Sequence, residues 1–302
     1  MAGMSSSGVA DSLDLFVTHR SLLFTVAYEM IGSAADAEDV VQEAWLRWSD
    51  LGPGARAEVR DPRAYFVRIV TRQALNRLRA LSRRREDYVG EWLPEPLLTA
   101  PDVAEDVELA ESVSIAMLTV LESLTPVERA VFVLREVFAV PYEEIAEAVG
   151  KSAAAVRQIV SRARSHVAAR RPRMRVDRSE QQEVVERFLA AVTTGDVQGL
   201  MDVLAPDVVL IADGGGVAQA VRVPVYGAKK VTNLLRSFPE AALNPRIALL
   251  WLNGGLGIRI DDEAGGPSLI SLVVEDGRIA RIFAMRNPDK LGHLEEETRL
   301  AR

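Results

Sequence analysis

Residues 141–164 read PYEEIAEAVGKSAAAVRQIVSRAR, and this spacing of side chains is what two short helices need to cross through a tight turn. Ala146 is small at the crossing, Gly150 lies four residues on where the turn needs a positive φ, and Val156 and Ile159 return apolar side chains to the same core. Ser152 is placed to cap the second helix. Residues 151–175 hold eight basic side chains and no acidic one. The second helix of this helix-turn-helix therefore offers Arg157, Gln158, Arg162 and Arg164 to phosphates or base edges. A basic amphipathic hairpin on a solvated surface would share this composition, but the joint spacing and the segregation of charge favour DNA.

The chain around this hairpin has 302 residues, 48% of them hydrophobic, enough for two or three cores. It has no cysteine, which excludes disulfides and thiolate metal sites and suits a reducing cytoplasm. No apolar run approaches the roughly 20 residues of a membrane-spanning helix. The opening MAGMSSSGVADSLD lacks the basic and apolar regions of a signal peptide. A soluble, cytoplasmic protein with no membrane partner is expected. The net charge of −7 argues against nonspecific coating of nucleic acid, and basic residues concentrate in two places, 60–85 and 151–175.

The periodicity divides the chain. Residues 11–85 read as a helical bundle: Ser33 and Asp36 mark a helix start, and Ala37, Val40, Val41, Ala44, Trp45 and Trp48 share one face. The Gly/Pro-containing stretch 51–63 reads as a loop, and helical periodicity resumes at 64–85 through Phe66, Ile69, Val70, Ala74 and Leu78. Residues 86–104, rich in proline and acid, fit an extended linker. A second helical domain spans 105–175, with Thr125, Pro126 and Glu128 as N-cap, first helical residue and capping-box partner. From 179 to 290 the period changes: helices at 182–193 and 197–204 are followed by strands at 208–212, 247–252, 256–260, 268–274 and 279–285. Glu275-Asp276-Gly277-Arg278 is a hairpin turn. This third domain is α+β, a curved antiparallel sheet wrapped by helices, and 291–302 form a tail.

Residues 60–85 carry nine basic side chains against one acid, Asp61, with Tyr65, Phe66 and Tyr88 among or near them. Basic groups that track phosphates, with aromatic faces or a shaped loop for an unstacked base, suit single-stranded or melting DNA. Phe66 shares a face with Ile69 and Val70 and is expected in the core, whereas Arg63, Arg68, Arg72 and Asn76 are candidates for DNA.

At this point residues 11–175 resemble a bacterial RNA polymerase sigma factor of the extracytoplasmic-function type. DAEDVVQEAWLRW resembles the helix that docks on the coiled coil of the polymerase's largest subunit, DPRAYFVRIVTRQALNRLR the element that melts and reads the −10 region, and LTPVERAVFVLREVFAVPYEEIAEAVGKSAAAVRQIVSRAR the −35-reading domain. The subgroup with a fused SnoaL-like (NTF2-like) C-terminal domain is marked by YEMIGS at 28–33, WLPEPL at 92–97, DGGG at 213–216 and NPDKL at 287–291. Val217 stands where a basic residue is expected after DGGG. The resemblance implies two all-α sigma domains followed by an α+β cone. It implies polymerase docking by Val40, Glu43, Trp45 and Arg47, with Trp45 as buried support, and −10 recognition by Arg60, Arg63, Arg68, Arg72 and Asn76. For the −35 element it implies Ser152, Arg157, Gln158, Ser161 and Arg162. It implies core RNA polymerase and promoter DNA as partners, and a monomer is expected when the protein is free. The resemblance also implies that the C-terminal domain regulates in cis, through Trp92, Pro94, Asp213, Gly214, Asn287, Asp289 and Lys290, and tethering would give even a weak contact a roughly millimolar local concentration. WLPEPL as a stiff spacer and DGGG as a tight turn are the plainer alternatives.

Two other readings stay open. A one-component helix-turn-helix regulator with a ligand-sensing C-terminal domain would explain the hairpin, but it needs no docking helix and would normally dimerise on a palindrome. An enzyme would need an acid or base inside the cone. His19, His166 and His293 lie one in each region, which excludes a histidine metal cluster and disfavours a Ser/His/Asp triad. Asp213 or Asp202 would be a lone general base, yet three glycines after Asp213 suit a strand-end turn better than a desolvated pocket. No metal, cofactor or catalytic residue is expected, and the cavity leaves room for an unidentified small ligand.

Overall fold

The computed structural model describes residues 6–85, 88–170, 178–238, 242–263, 265–292, 294 and 297–302. Two compact units emerge: a helical one from Met1–Arg83, Val120–Arg170 and Arg299–Arg302, and a mixed one from Arg84–Thr119 and Arg171–Thr298.

In the helical unit, α1 (Ser6–Ile31), α2 (Ala34–Ser49), the short α3 (Pro53–Ala57) and α4 (Pro62–Arg85) form the bundle. Ser33 caps α2 through the Asp36 N–H, and Ala37, Val40, Val41, Ala44 and Trp48 are the buried stripe. Phe66 lies at the centre, edge-on to Phe16 at 5.2 Å and to Trp48 at 4.9 Å, as its position beside Val70 on α4 predicts. The chain then re-enters through α6 (Ile115–Leu121) and α7 (Pro126–Phe132), whose Thr125–Glu128 capping box is complete. A single π-helical segment, Val133–Val137, ends α7. The helix-turn-helix follows as α8 (Tyr142–Val149) and α9 (Ala153–Ala168). Gly150 sits at φ +68 with open space where a Cβ would be, so conformation, not room, selects glycine there. Its N–H and that of Lys151 both close on the Ala146 carbonyl, and Ser152 accepts from the Ala155 N–H at 3.2 Å.

The mixed unit is a six-stranded sheet in the order β2-β1-β6-β5-β4-β3. Its strands are β1 (Leu204–Asp213), β2 (Val225–Tyr226), β3 (Arg246–Leu252), β4 (Gly255–Asp262), β5 (Gly266–Glu275) and β6 (Arg278–Met285). Asp276 and Gly277, both at positive φ, close the expected β5–β6 hairpin. One pair departs from the antiparallel expectation, since β1 runs parallel to β6. Helices α10 (Arg178–Thr194), α11 (Val197–Val203) and α12 (Ala228–Leu235) cover one face with Val184, Phe188, Leu200 and Val231 against Leu210, Ile258 and Ile282.

Side chains alternate across a strand, so Phe283 and Met285 of β6 and Val273 of β5 must point to the other face. That face is covered by residues 88–119. Leu93, Ile115 and Ala116 pack there with Leu252, Leu269, Val273, Phe283 and Met285. The segment 88–104 is mostly extended, as predicted, but it is a buried layer and not a free spacer: Leu93, Pro94, Pro96 and Leu97 are all buried. Residues 105–119, which the periodicity assigns to the second helical domain, also belong to this layer through α5 (Val107–Val113) and the start of α6.

Fully burying a leucine contributes about 1.5–3 kcal/mol, and truncation in a close-packed site adds a cavity cost. Leu93→Ala is therefore expected to destabilise the mixed unit by about 2–5 kcal/mol in urea unfolding. An effect below about 0.5 kcal/mol, the range of surface substitutions, would mean that the segment is not part of the core.

Candidate nucleic-acid interface and linker latch

The exposed side of α9 collects the residues expected there: Ser152, Arg157, Gln158, Ser161 and Arg162 are all exposed, while Val156, Ile159, Val160 and Ala163 face the core. Arg157 is held over the Tyr142 ring at 5.2 Å and pairs with Glu143 at 3.0 Å. Arg164 pairs with Glu136 at 2.6 Å. Both are surface pairs, which contribute little and exchange readily for phosphates. Arg171, Arg173 and Arg175 lie outside the described residues.

On α4 and the turn before it, Arg60, Arg63, Arg72 and Asn76 are exposed and Arg68 is half-buried. Their neighbours include a group that the sequence reading missed. Glu147 of α8 forms an ion pair with Arg68, and its carbonyl accepts from Arg72 at 3.0 Å. Between α4 and α8 lies a cavity of about 420 Å³ whose lining includes Arg60, Asp61, Tyr65, Arg68, Glu144 and Glu147. Carboxylates thus face the cations that were expected to meet DNA. Deeper in the same unit Arg129 is fully buried, donating to the Glu29 carbonyl at 3.0 Å and pairing with Glu122. Burial pushes its guanidinium down to about 9, which leaves it charged at neutral pH.

On α2, Glu43 and Arg47 are exposed, Trp45 is half-buried 5.3 Å from Phe16, and Val40 is buried. Val40 therefore supports the helix from the core side and presents nothing to a partner. Glu43 accepts from Gln73 at 2.5 Å.

The most tightly built cluster is in the mixed unit. Asp213, at the end of β1, is completely buried. Its Oδ1 accepts from the Tyr88 hydroxyl at 2.6 Å and the Gly215 N–H at 3.0 Å; its Oδ2 accepts from the Leu93 N–H at 2.9 Å and Lys290 Nζ at 2.7 Å. Lys290, in the short α13 (Pro288–Leu291), also donates to the Leu93 carbonyl at 2.5 Å and lies 3.9 Å from the centre of the Trp92 ring. Asn287 donates to the Tyr88 hydroxyl at 2.8 Å. The glycines of DGGG have a spatial reason too: at Gly215, φ +62, a Cβ would lie 2.5 Å from the Asn287 side chain. WLPEPL, DGGG and NPDKL, far apart in sequence, thus meet in one latch. Pro94 is buried within it, the Gly214 carbonyl accepts from Val217 and Ala218, and Asp289 is exposed with its N–H on Asn287 Oδ1. Val217 itself is exposed.

Two expectations need correcting. Tyr88 is not a base-stacking aromatic beside α4; it is a latch residue of the mixed unit. Asp213 is desolvated after all, but its oxygens take four donors, one of them a lysine, so it is committed as an acceptor. Asp202 is exposed and accepts from Gln198 at 2.8 Å. A second clamp was also missed: Asn253 is buried, with Oδ1 accepting from Leu97 N–H and Nδ2 donating to the Val113 carbonyl, each at 2.8 Å. Among the described residues no group of three or more His, Asp or Glu is arranged to hold a metal ion, and no helix is long and apolar enough to cross a membrane. His293 lies outside the described residues.

Burial, and then the hydrogen bond to Asp213, raises the Tyr88 pKa well above its ordinary value. The folded state therefore keeps a proton that the unfolded chain loses near pH 10, so this contact's stabilisation is intact below that pH and is lost as pH rises through the raised value. Removing one partner of a buried pair costs about 3–5 kcal/mol, because the other charge stays buried. Lys290→Met is expected to cost that much in urea unfolding, and Asp213→Asn combined with Lys290→Met less than the sum of the two single changes. Strict additivity would show that the pair is not coupled.

Comparison with known proteins covers most of the chain. Residues 15–84 match the family Sigma-70 region 2, and residues 114–167 match Sigma-70, region 4. The chain is 37% identical over 289 residues to the ECF RNA polymerase sigma factor SigJ of Mycobacterium tuberculosis, with 91% of each chain covered. It is 29% identical over 293 residues to the probable ECF RNA polymerase sigma factor SigI of the same species, covering 92% of this chain and 94% of the other. Its fold matches the crystal structure of SigJ with a TM-score of 0.75 at 36% identity, covering 94% of this chain and 99% of that one.

Proposed function

The chain belongs to the extracytoplasmic-function RNA polymerase sigma factors, and from that membership we propose how its own surfaces divide the work of starting transcription. As a sigma factor it binds core RNA polymerase and promoter DNA and recognises the −35 and −10 elements. The exposed side of α2, with Glu43 and Arg47 supported by Val40 and Trp45, docks on the coiled coil of the largest subunit. Arg60, Arg63, Arg68, Arg72 and Asn76 serve −10 recognition and strand separation. Ser152, Arg157, Gln158, Ser161 and Arg162 serve the −35 element. The observation that carries the assignment of α9 is its division into one apolar and one basic, exposed face at a capped helix start.

Free in solution, the protein is a monomer in a state unready for DNA. Glu147 neutralises Arg68 and engages Arg72 through its carbonyl, so two cations of the −10 face are occupied within the protein until phosphates take the place of Glu147. Binding to core polymerase supplies the competing contacts, so the free protein is expected to bind DNA weakly. The C-terminal domain regulates in cis by latching residues 88–97 through Asp213, Asn287 and Lys290, which limits the reach of the segment connecting the two DNA-reading regions. The protein works in the cytoplasm with the polymerase, as a transcription factor and not as an enzyme. Its cavity does contain ionisable side chains, Asp262 and Arg286, but both Asp262 oxygens accept backbone N–H groups, from Leu243 and Gly265, a poor setting for a general base.

Run-off transcription with bacterial core polymerase and a promoter library tests these roles on the full chain. Arg157→Ala or Gln158→Ala is expected to change the preferred −35 sequence, whereas Arg170→Ala lowers initiation uniformly and reduces its salt dependence. Glu147→Gln raises initiation, and Lys290→Met changes it on a fixed promoter. Identical behaviour of the Arg157 and Arg170 variants removes base reading by α9, and an unchanged Lys290→Met removes regulation through the latch. No core-dependent initiation, with DNA binding that needs no polymerase, would favour a one-component regulator.

A further inference from the structure

The face of the sheet under α10 and α12 encloses a cavity of about 260 Å³. Its wall is apolar, built by Phe188 and Val192 of α10, Leu235 of α12, and Ile258, Ile270 and Ile282 of three neighbouring strands. The polar lining is a single hydrogen-bonded cluster around Arg286. Its guanidinium donates to Ser268 Oγ at 3.0 Å, to the Gly265 carbonyl at 3.0 Å and to the Gln219 carbonyl. All three acceptors are neutral, and among the described residues no carboxylate lies within ion-pair distance of Arg286. Asp262, the one carboxylate in the cluster, turns its oxygens to the N–H groups of Leu243 at 2.8 Å and Gly265 at 3.2 Å. The guanidinium hydrogen-bonds only neutral oxygens and, with Asp262 Oδ2 as a neighbour across Gly265, still presents a cation to the cavity in a fork geometry that matches a carboxylate.

We propose that this cavity binds a small apolar carboxylate, with its hydrocarbon part against the α10, α12 and strand side chains and its head group on Arg286. Apolar walls with a few convergent polar groups are what a small-molecule site requires. The position also gives occupancy a consequence, which rests on the regulatory reading above. The Arg286 N–H donates to the Asp213 carbonyl at 2.7 Å, and the next residue, Asn287, holds the Tyr88 hydroxyl. The Gln219 carbonyl that a head group would displace belongs to the loop that follows DGGG. A ligand on Arg286 therefore acts on both sides of the latch.

Calorimetric titration of the full chain with octanoate and with octanol tests the site. Octanoate is expected to bind one per chain and octanol about tenfold more weakly, a difference of about 1.4 kcal/mol. Arg286→Gln brings octanoate to the level of octanol. Leu235→Trp fills the cavity without touching the Arg286 hydrogen bonds and abolishes binding of both. Absence of saturable octanoate binding to the folded wild-type chain overturns the site, as does binding that survives Leu235→Trp. Equal affinity for octanoate and octanol overturns the head-group assignment. Adding octanoate to the run-off assay keeps the two readings apart: binding without a change in initiation overturns the coupling to the latch, whereas latch variants that leave initiation unchanged overturn the regulatory reading whatever the cavity binds.

Discussion

A carboxylate with no access to water, Asp213, is the interaction on which the mixed unit depends. Desolvating a carboxylate is costly unless charge and hydrogen bonds compensate. The compensating groups come from three distant parts of the chain: Tyr88 and Leu93 from the segment between the helical regions, Gly215 from the turn after β1, and Lys290 from the end of the sheet domain. None of these satisfies the carboxylate alone. The buried pair therefore ties the connecting segment to the sheet in one register, because a slip would take the Tyr88 hydroxyl and the Leu93 N–H off Asp213 and the Leu93 carbonyl off Lys290.

The apolar side of the same arrangement follows from the strands. Consecutive residues of β6 are apolar on both parities, Ile282 and Ala284 against α10–α12, Phe283 and Met285 against residues 88–119. A sheet apolar on both faces must be covered twice. Helices that follow the sigma-like regions supply one cover, and the connecting segment itself supplies the other. What would be a free tether in a protein with a one-sided sheet is here part of a core, clamped further by Asn253. The regulation in cis proposed above needs no separate docking event, since the connecting segment is already a structural layer of the C-terminal domain.

Much of this was legible in the residues. Ala146, Gly150, Ser152, Val156 and Ile159 specified the helix-turn-helix, the Thr125–Glu128 box specified the start of α7, and Asp276-Gly277 specified the last hairpin. These are local signals, fixed by caps and backbone angles, and local physics decides them. The misreadings came from tertiary packing. Residues 86–104 read as an extended linker whose WLPEPL meets DGGG and NPDKL, but composition does not reveal that the far face of the sheet lacks a cover which this segment supplies; the apolar parity of β5 and β6 was the available hint. Tyr88 was grouped with the basic helix by proximity in sequence, and only the fold brings it to Asp213. Glu147 lies on the acidic face of α8, where nothing in the sequence connects it to Arg68, 79 residues away. The parallel β1–β6 pair likewise depends on the order of strands, not on their periodicity.

Hydrogen exchange at the amides of Leu93 and Leu97, measured in the full chain, tests most directly whether the connecting segment is a clamped layer of the C-terminal domain. The account requires both to be protected like the strand amides of β5 and β6, and to lose that protection in Lys290→Met before the strands do. Exchange at the rate of an unstructured peptide in the wild-type chain would contradict it.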